Sequence, residues 1–422
     1  MVEYLKRAPL RGQGNRKAVV DAVAQILENV RSRGLDAVRE YSARFDRWEP
    51  VSFKVGMAEV EAAKAAIAPE VLASLDFAHE RIARFAELQL QSLSEFETET
   101  LPGVFLGQKL ISIANVGAYV PGGKYPMLMS AQMSILTAKV AGAGRVVGCA
   151  PPYEGRGIYP EMLWSMALAG ADEIWCVGGV QALALMAYGA DGYDPVEFIA
   201  GPGNMYVAEA KRQLFGTVGI DLLAGPTEIL IIADGHADPW IVAADLLGQA
   251  EHGATSPAVL VSLSREVGEA VLAEVERQLA QLGTREIAAV AWRDCGDVVI
   301  ARDRTEAAAL ADNYAPEHLE VQTDDVDWYL EHLHNYGTLC LGEEATIAFS
   351  DKAIGTNHTL PTGGAARYTG GLWVGKFLKT VTYQRCTREG AVDVARHAGV
   401  LSTAEHFDGH AKTAYFRIAK YS

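Results

Sequence analysis

Several features that define other protein classes are missing from this sequence. The five cysteines are scattered and form no CxxC pair, so neither a disulfide framework nor a compact zinc ribbon is expected. No stretch approaches the roughly 20 uninterrupted apolar residues that span a bilayer. The first residues lack a basic segment followed by an apolar one, so a signal peptide is not expected either. These absences favour a cytoplasmic protein with reduced thiols and no membrane partner.

Positive charge is also scarce. The chain has 37 Lys and Arg against 53 Asp and Glu, a formal net charge of −16. Such a surface repels a phosphate backbone, and no local cluster of basic and aromatic residues offsets it, so nucleic acid is not an expected partner. A cofactor with phosphates is still compatible, because backbone amides at helix starts bind phosphate whatever the overall charge.

The length and the apolar pattern indicate an α/β protein with more than one unit. A single core rarely serves 422 residues, so two or more domains are expected. Residues from about 17 to 95 show the three-and-four apolar spacing of helices. After residue 110, short β-branched runs alternate with Ala-rich helical segments, which predicts parallel sheets covered by helices. We expect one such unit near 119–227, another after it, and small helical segments at both termini.

Three glycine-containing turns are candidate edges of a phosphate site. The turn at Tyr119 follows a strand-like run, and the turn ending at Asn204 leads into a helix. The third turn precedes Gln181. Small residues in such turns let backbone N–H groups approach an anion. None matches GxGxxG, and each turn taken alone is more often a plain strand-to-helix connection.

Side chains suited to a metal ion occur at separate places along the chain. They include Gln249 and His252 at i and i+3, Glu317 beside His318, Asp351 with His358, and His406 with His410. Zinc takes about four ligands from His, Cys, Asp or Glu, and a Gln oxygen can replace one. There is no HExxH and no close Cys/His pairing. Spacing alone therefore leaves open that these histidines cap helices or lie on the surface.

Six longer motifs resemble the histidinol dehydrogenase family, in order and over about residues 17–415. They are Val116-Gly-Ala-Tyr-Val-Pro-Gly-Gly, Gly201-Pro-Gly-Asn with Glu209-Ala-Lys-Arg-Gln, Ala224-Gly-Pro-Thr-Glu, Gln249-Ala-Glu-His-Gly, Ala315-Pro-Glu-His-Leu-Glu and Gly355-Thr-Asn-His-Thr-Leu-Pro-Thr. The resemblance implies a homodimer in which each chain has two incomplete Rossmann-like units. It also implies oxidation of a primary alcohol, through an aldehyde, to a carboxylate with two NAD molecules.

The resemblance implies roles for individual residues. Zinc would be bound by Gln249, His252 and Asp351 of one subunit and by His410 from the C-terminal segment of the other. His318 would be the general base, for which an imidazole is well suited. Glu317 would activate the water that oxidation of the aldehyde requires, since no cysteine here sits beside an obvious base.

The remaining roles concern NAD, the substrate and the division of the chain. The resemblance implies NAD contacts from Tyr119, Gln181 and Asn204. The substrate contacts that it implies are Thr227, Gln249, His252, His318, Asp351, Glu405 and His410. The expected division is an N-terminal segment 1–16, a discontinuous α/β domain of 17–118 and 228–372 with the metal and catalytic residues, an NAD-binding domain 119–227, and a C-terminal segment 373–422 that reaches the partner.

Differences from histidinol dehydrogenases bear on the substrate. Thr227 stands where those enzymes usually carry Ser, and Lys124-Tyr125 stands where small residues are usual. The block 363–380 is expected to bring Arg367, Lys376 and Lys379 close to the metal ligands. It resembles the sulfopropanediol 3-dehydrogenase branch, which converts 2,3-dihydroxypropane-1-sulfonate to sulfolactate, and Arg and Lys suit a sulfonate.

Two alternatives stay open at this stage. Glu405 suits the cation of histidinol, so conversion of L-histidinol to L-histidine is the alternative within the same class. A non-catalytic dimer that binds zinc or a nucleotide is the alternative of another class, although nothing structural requires that the whole set of metal and catalytic residues be kept.

Overall fold

The computed structural model describes residues 2–9, 16–122 and 125–422. Lys124, one of the departures from histidinol dehydrogenases that bear on the substrate, lies outside the described residues. In chain order, the strands are β1 (Glu3–Lys6), β2 (Phe96–Leu101), β3 (Val104–Ser112), β4 (Asn115–Tyr119), β5 (Arg145–Ala150), β6 (Glu173–Cys176), β7 (Phe198–Ala200), β8 (Gly219–Ile220), β9 (Ile229–Ala233), β10 (Ala258–Ser262), β11 (Gly296–Ile300), β12 (His318–Gln322), β13 (Thr338–Leu341) and β14 (Leu378–Cys386).

The α-helices are numbered in the same way. They are α1 (Arg16–Arg33), α2 (Leu35–Tyr41), α3 (Met57–Ala65), α4 (Pro69–Gln91), α5 (Leu128–Ala131), α6 (Thr137–Val140), α7 (Pro160–Leu168), α8 (Gly179–Tyr188), α9 (Met205–Leu214), α10 (Pro239–Ala250), α11 (Arg265–Leu279), α12 (Arg285–Cys295), α13 (Arg304–Tyr314), α14 (Val326–His332), α15 (Ile347–Lys352), α16 (Arg388–Ala404) and α17 (Asp408–Tyr421). Within the described ranges, no helix combines the length and the apolar character needed to cross a bilayer.

Two of the three sheets are built mainly from parallel strands. The first has six strands in the order β1-β11-β10-β9-β12-β13, and the second has five in the order β6-β5-β4-β7-β8. In both, the described pairs are parallel except for β1 with β11. The prediction of α/β architecture with parallel sheets is confirmed.

The six-stranded sheet has helices on both faces, which explains the sequence of its central strand. β9 reads Ile-Leu-Ile-Ile-Ala and is buried throughout. Ile229 and Ile231 join the core beneath α10, α11 and α12, whereas Leu230 and Ile232 join the core beneath α13 and α14. Side chains alternate between the faces of a strand, so a strand covered on both faces is apolar at every position.

The N-terminal helices pack on the five-stranded sheet. Val23 and Val30 of α1 share a core with α8 and α9, and Leu75 and Ile82 of α4 share a core with Val116 of β4. The predicted division joined 17–118 to 228–372, but this packing joins most of that stretch to the other sheet, because the apolar faces of α1 and α4 are covered there. The exact domain boundaries stay a prediction.

Each terminal region contains a strand in addition to the helices that were expected. The described part of the first segment contains the strand β1, which pairs antiparallel with β11 and so covers that edge of the sheet. The C-terminal part begins with the strand β14, paired along its whole length with β3 in a three-stranded antiparallel sheet. After it, α16 and α17 pack against each other as a two-helix arm comprising residues 388–421.

Candidate functional site

The candidate catalytic residues meet where two parallel strands begin. β9 and β12 are neighbours, with Ile229 opposite His318, so the residues just before them run side by side. The Glu228 backbone N–H donates to Oε2 of Glu317 at 3.0 Å, and the Glu228 carbonyl lies 3.0 Å from Nδ1 of His318. One residue's backbone therefore holds both candidate catalytic side chains.

His318 is held in a single tautomer. A carbonyl oxygen only accepts, so Nδ1 must carry the proton that it donates to Glu228. The other ring nitrogen, Nε2, is then an unprotonated acceptor, and it is buried with no hydrogen-bond partner among the described residues. Burial lowers the pKa of His318 to about 4, despite the nearby Asp351, so the ring is neutral at physiological pH. A neutral imidazole with a free lone pair is equipped to take a proton.

Glu317 is also buried, and its contacts all lie on one oxygen. Oε2 accepts from the Thr227 hydroxyl at 2.5 Å as well as from the Glu228 N–H. Burial raises the pKa of Glu317 well above its usual value, although these two donors oppose the shift. Burial thus favours the neutral form of Glu317, whereas the two donors favour the ionised form.

Thr227 connects Glu317 to the candidate metal ligands. Its hydroxyl donates to Glu317 and accepts from Nε2 of Gln249 at 2.6 Å. With Nε2 facing Thr227, the amide oxygen of Gln249 is the atom left for a metal ion. Thr227 was predicted from the resemblance as a substrate contact. In the structure it bridges two other site residues.

The residues around Gln249 suit a zinc ion. Nε2 of His252 lies 3.8 Å from Oδ2 of Asp351. Two donors on one tetrahedral zinc, with bonds of about 2.1 Å, stand about 3.4 Å apart. Burial lowers the pKa of His252, which keeps the imidazole neutral as a ligand must be. An imidazole, a carboxylate and an amide oxygen are therefore a fitting partial set for zinc.

His358 is a site residue to which the resemblance assigned no role. Its ring is buried, with Nδ1 3.0 Å from the Asp351 carbonyl and Nε2 3.1 Å from the Ser130 hydroxyl. Ser130 belongs to α5, beside the five-stranded sheet, so His358 connects Asp351 to that side of the molecule. The sequence had indicated His358, with Asp351, as a side chain suited to a metal ion.

A cavity of about 540 Å³ opens beside these residues. Its wall includes Gln249, His252 and Asp351, together with residues 125–130 and residues at the start of α4. Glu317 and His318 are not among the described residues of the wall. Such a cavity accommodates a small molecule.

Glu405 and His410 lie elsewhere on the same chain. Glu405 follows α16 and His410 lies on α17, and both are exposed. The His410 ring is next to that of Phe407, with 5.3 Å between the ring centroids, on the arm. One chain by itself therefore places three of the four predicted zinc ligands together and holds the fourth apart.

The predicted NAD residues all lie at the carboxyl ends of strands in the five-stranded sheet. Tyr119 ends β4, and its hydroxyl accepts from the Gly179 N–H at 3.2 Å. The Gln181 amide donates to Asp46 at 3.0 Å, and Asn204 caps α9 through the N–H groups of its first turn. Carboxyl strand ends are where open α/β sheets bind ligands, so the positions are appropriate.

A buried ion pair holds the loop before Asn204. The Lys211 ammonium pairs with Asp221 and also donates to the Gly201 carbonyl at 2.9 Å. Asp221 in turn accepts from the Gly201 N–H at 2.8 Å. Gly201 has a φ of 117°, and a Cβ there would collide with the Tyr119 carbonyl, so no other residue fits.

In the block 363–380, it is the first residue, Gly363, that contacts a residue of the site. The Gly363 N–H donates to Oε1 of Glu228 at 2.9 Å. Arg367 is not directed into the cavity, because its guanidinium donates to the carbonyls of Gly364 and Asn313. Lys376 and Lys379 are likewise absent from the cavity wall. Among the described residues, the Lys or Arg that does line it is Lys352.

A separate group of possible metal ligands lies at the other end of β9. Asp234, His236 and Asp324 bring one ligand atom each within 4.8 Å of the others. His236 and Asp324 are exposed, and His236 already pairs with Asp324 at 2.8 Å. This surface group shares no residue with the predicted zinc set.

Comparisons with known proteins agree with the order of motifs along the chain. The family model described as histidinol dehydrogenase matches residues 10–418. The chain is 49% identical to a histidinol dehydrogenase homolog of Shouchella clausii over all of both chains. It is 47% identical to the sulfopropanediol 3-dehydrogenase of Ruegeria pomeroyi, over 100% of this chain and 97% of that one. The crystal structure of histidinol dehydrogenase from Elizabethkingia anophelis is similar with a TM-score of 0.92 and 31% identity, covering 98% of this chain and 94% of that one.

Proposed function

Because this chain belongs to the histidinol dehydrogenase family, we propose that it is a zinc-dependent NAD oxidoreductase that converts a primary alcohol to a carboxylate. The proposed substrate is 2,3-dihydroxypropane-1-sulfonate and the proposed product is sulfolactate. The observation that carries the proposal is the free Nε2 of His318, held unprotonated beside a zinc-compatible set of side chains.

Gln249, His252 and Asp351 would hold zinc, with His410 of the partner subunit as the fourth ligand. When bound, zinc supplies a positive charge that orients the alcohol and stabilises negative charge on its oxygen. Thr227 keeps the Gln249 amide oxygen turned towards that position.

His318 would take the hydroxyl proton at Nε2. NAD, when bound, would supply the hydride acceptor for both oxidations, so that four electrons in all would leave the alcohol, and water would supply the second oxygen of the acid. Glu317 would receive a proton of that water. Its Oε2 is tied to Thr227 and Glu228, which supports the ionised form needed for this step.

NAD would bind at the carboxyl ends of β4, β6 and β7, with Tyr119, Gln181 and Asn204 as contacts. Both larger sheets would then be incomplete Rossmann-like units. The five-stranded one, which contains β4 to β8, would bind the cofactor, and the six-stranded one would supply the metal and catalytic residues.

Two observations support the sulfonated diol as substrate. A relative that carries the name sulfopropanediol 3-dehydrogenase is 47% identical over the whole chain. A lysine also lines the cavity beside Asp351. One observation favours histidinol as the second candidate, because Asp245 and Glu251 also line the cavity and would attract a cation.

NADH formation with each alcohol separates the two candidates. The purified protein, loaded with zinc, is assayed by absorbance at several concentrations of the sulfonate and of L-histidinol. We expect a kcat/KM for the sulfonate at least tenfold higher, with two NADH formed per molecule consumed. A higher value for histidinol would reject the proposed substrate and keep the proposed chemistry. No turnover of either alcohol would favour the non-catalytic alternative.

The arm is proposed to complete the site of a second copy of the chain. Apolar side chains remain exposed on it, among them Leu401 at 63% and Phe416 at 68%. A surface of this kind is expected to be covered by another protein surface. The homodimer with a shared active site would cover it and bring His410 to the partner's zinc ligands.

Mixing two inactive variants tests the shared site directly. If two chains share each site in this way, a dimer of one His318→Ala subunit and one His410→Ala subunit contains one site in which both histidines are native. Random reassortment of equal amounts makes half of the dimers mixed, so about a quarter of the native sites return. Recovery of about a quarter of native activity is expected after unfolding and refolding together. If His410 acted within its own chain, no activity would return.

A further inference from the structure

We propose that Lys352 is the residue that binds the anionic end of the substrate. The inference rests on the proposed function, because it assigns the sulfonate of the diol to a particular side chain. It also replaces the expectation for Arg367, whose guanidinium is committed to two backbone carbonyls.

The position of Lys352 follows from that of a proposed zinc ligand. Lys352 is the last residue of α15 and directly follows Asp351, and both line the same cavity. Its Nζ lies 3.8 Å from Oδ2 of Asp351. The Lys352 ammonium therefore lies close to the position at which zinc, bound by Asp351, would hold the alcohol oxygen.

The charges of the cavity leave few other groups for an anion. The described wall includes carboxylates at Asp245, Glu251 and Asp351, which repel a sulfonate. Among the described wall residues, Lys352 is the permanent cation.

Lys352 is also free enough to meet a ligand. Its side chain is 59% exposed, whereas that of Asp351 is 12% exposed. Its contact with Asp351 is longer than a direct hydrogen bond, so the three N–H groups of the ammonium can turn towards an incoming oxygen anion. A three-carbon chain is short enough for its hydroxyl to reach the zinc position while its sulfonate meets Nζ.

Lys352→Gln tests the assignment, with Lys352→Arg as the rescue and Lys376→Gln as the control. Lys376 lies in the same C-terminal half but outside the cavity wall. Titration calorimetry on the zinc-loaded proteins measures the dissociation constant of 2,3-dihydroxypropane-1-sulfonate. The neutral probe is 1,2-butanediol, which has a methyl group in place of the sulfonate. Zinc content is measured on each protein.

We expect Lys352→Gln to weaken sulfonate binding about tenfold to a hundredfold relative to the neutral diol, with zinc content unchanged. Lys352→Arg should recover most of the loss, and Lys376→Gln should match the native protein. A Lys352→Gln protein that binds the sulfonate as tightly as the native one would overturn the inference. So would a loss of zinc in that variant, because Lys352 would then act by supporting Asp351.

The outcomes also separate this inference from the proposed function. If the native protein oxidises histidinol and not the sulfonate, the proposed function fails. Lys352 would still be an anion-binding residue if sulfonate binding were measurable and depended on it. If the sulfonate is oxidised but Lys352→Gln keeps its selectivity for it over the neutral diol, only the assignment of Lys352 fails.

Discussion

Gln249, Glu317 and His318 are joined to one another through Thr227 and Glu228, whereas Glu405 and His410 stand exposed on the arm. The first group is fixed by a hydroxyl and a peptide unit of the same chain. The second group is attached through helices with uncovered apolar side chains. The inner group can therefore be in place before any ligand arrives, whereas under the proposed shared site the metal set would be completed only by association of two chains. Activity should respond to changes in the two regions in different ways.

The largest effect is expected from His318→Ala, which removes the proposed base from the inner group. Loss of a general base lowers kcat about 10²-fold to 10⁴-fold. Zinc content should stay at the native level, because His318 is not among the proposed ligands. The exposed histidine His334 provides the control as His334→Ala. Native turnover by His318→Ala would reject the mechanism.

His410→Ala removes the proposed metal ligand on the arm. We expect zinc affinity to fall about 10-fold to 100-fold and kcat to fall with it, while the folded structure of each chain is kept. His397→Ala, on the same arm, is the matched control. Metal analysis after dialysis against a weak chelator measures the change. Full retention of zinc by His410→Ala would mean that three ligands of one chain suffice.

Thr227→Val tests the connection inside the inner group. The valine has the same shape but removes one of the two donors to the Glu317 carboxylate and the acceptor of the Gln249 amide. Losing a hydrogen bond to a charged group costs about 1.5–3 kcal/mol, so kcat should fall about tenfold to a hundredfold. Thr227→Ser should retain most of the activity. If Thr227→Ser and Thr227→Val are equally impaired, the methyl group rather than the hydroxyl matters.

The smallest effect concerns a pair of acids next to the inner group. Glu320, buried on β12, faces Asp245 of α10, and burial together with Asp245 raises the pKa of Glu320 to about 8. A carboxyl whose pKa is raised on folding stabilises the protein below its unfolded value near 4.5, and this contribution is lost as pH rises through 8. The free energy of unfolding should therefore fall as the pH rises from 5 to 8.

Glu320→Gln should flatten that dependence, because the amide stays neutral at every pH. Urea unfolding at several pH values measures it, and Glu331→Gln, at a residue exposed on α14, is the control. An unchanged slope in Glu320→Gln would assign the pH dependence to other groups.

The sequence predicted the repeating architecture better than the edges of the fold. The apolar run that became β9 was visible because a central parallel strand is buried on both faces. The short strand β1 was missed, since two of its four residues are exposed and it carries no continuous apolar run. Its place depends on the free edge of β11, almost 300 residues away, which no local pattern records.

The sequence predicted the site residues only where a recognisable motif surrounds them. Spacing by itself left His252 and His318 undecided, and the resemblance assigned them. The hydroxyl bridge of Thr227 and the contacts of His358 join residues far apart in sequence, so packing alone reveals them. The prediction for Arg367 was wrong because the sequence shows its charge but does not show the two backbone carbonyls to which its guanidinium donates.

The Lys211–Asp221 pair has a consequence for how the cofactor would arrive. The loop at Gly201 is already ordered by buried bonds to its N–H and its carbonyl. Binding of a dinucleotide would then cost little conformational entropy in that loop, and the affinity for the dinucleotide would be higher for that reason. Amide hydrogen exchange measures preorganisation of this kind. The Gly201 N–H should exchange slowly even in the absence of NAD.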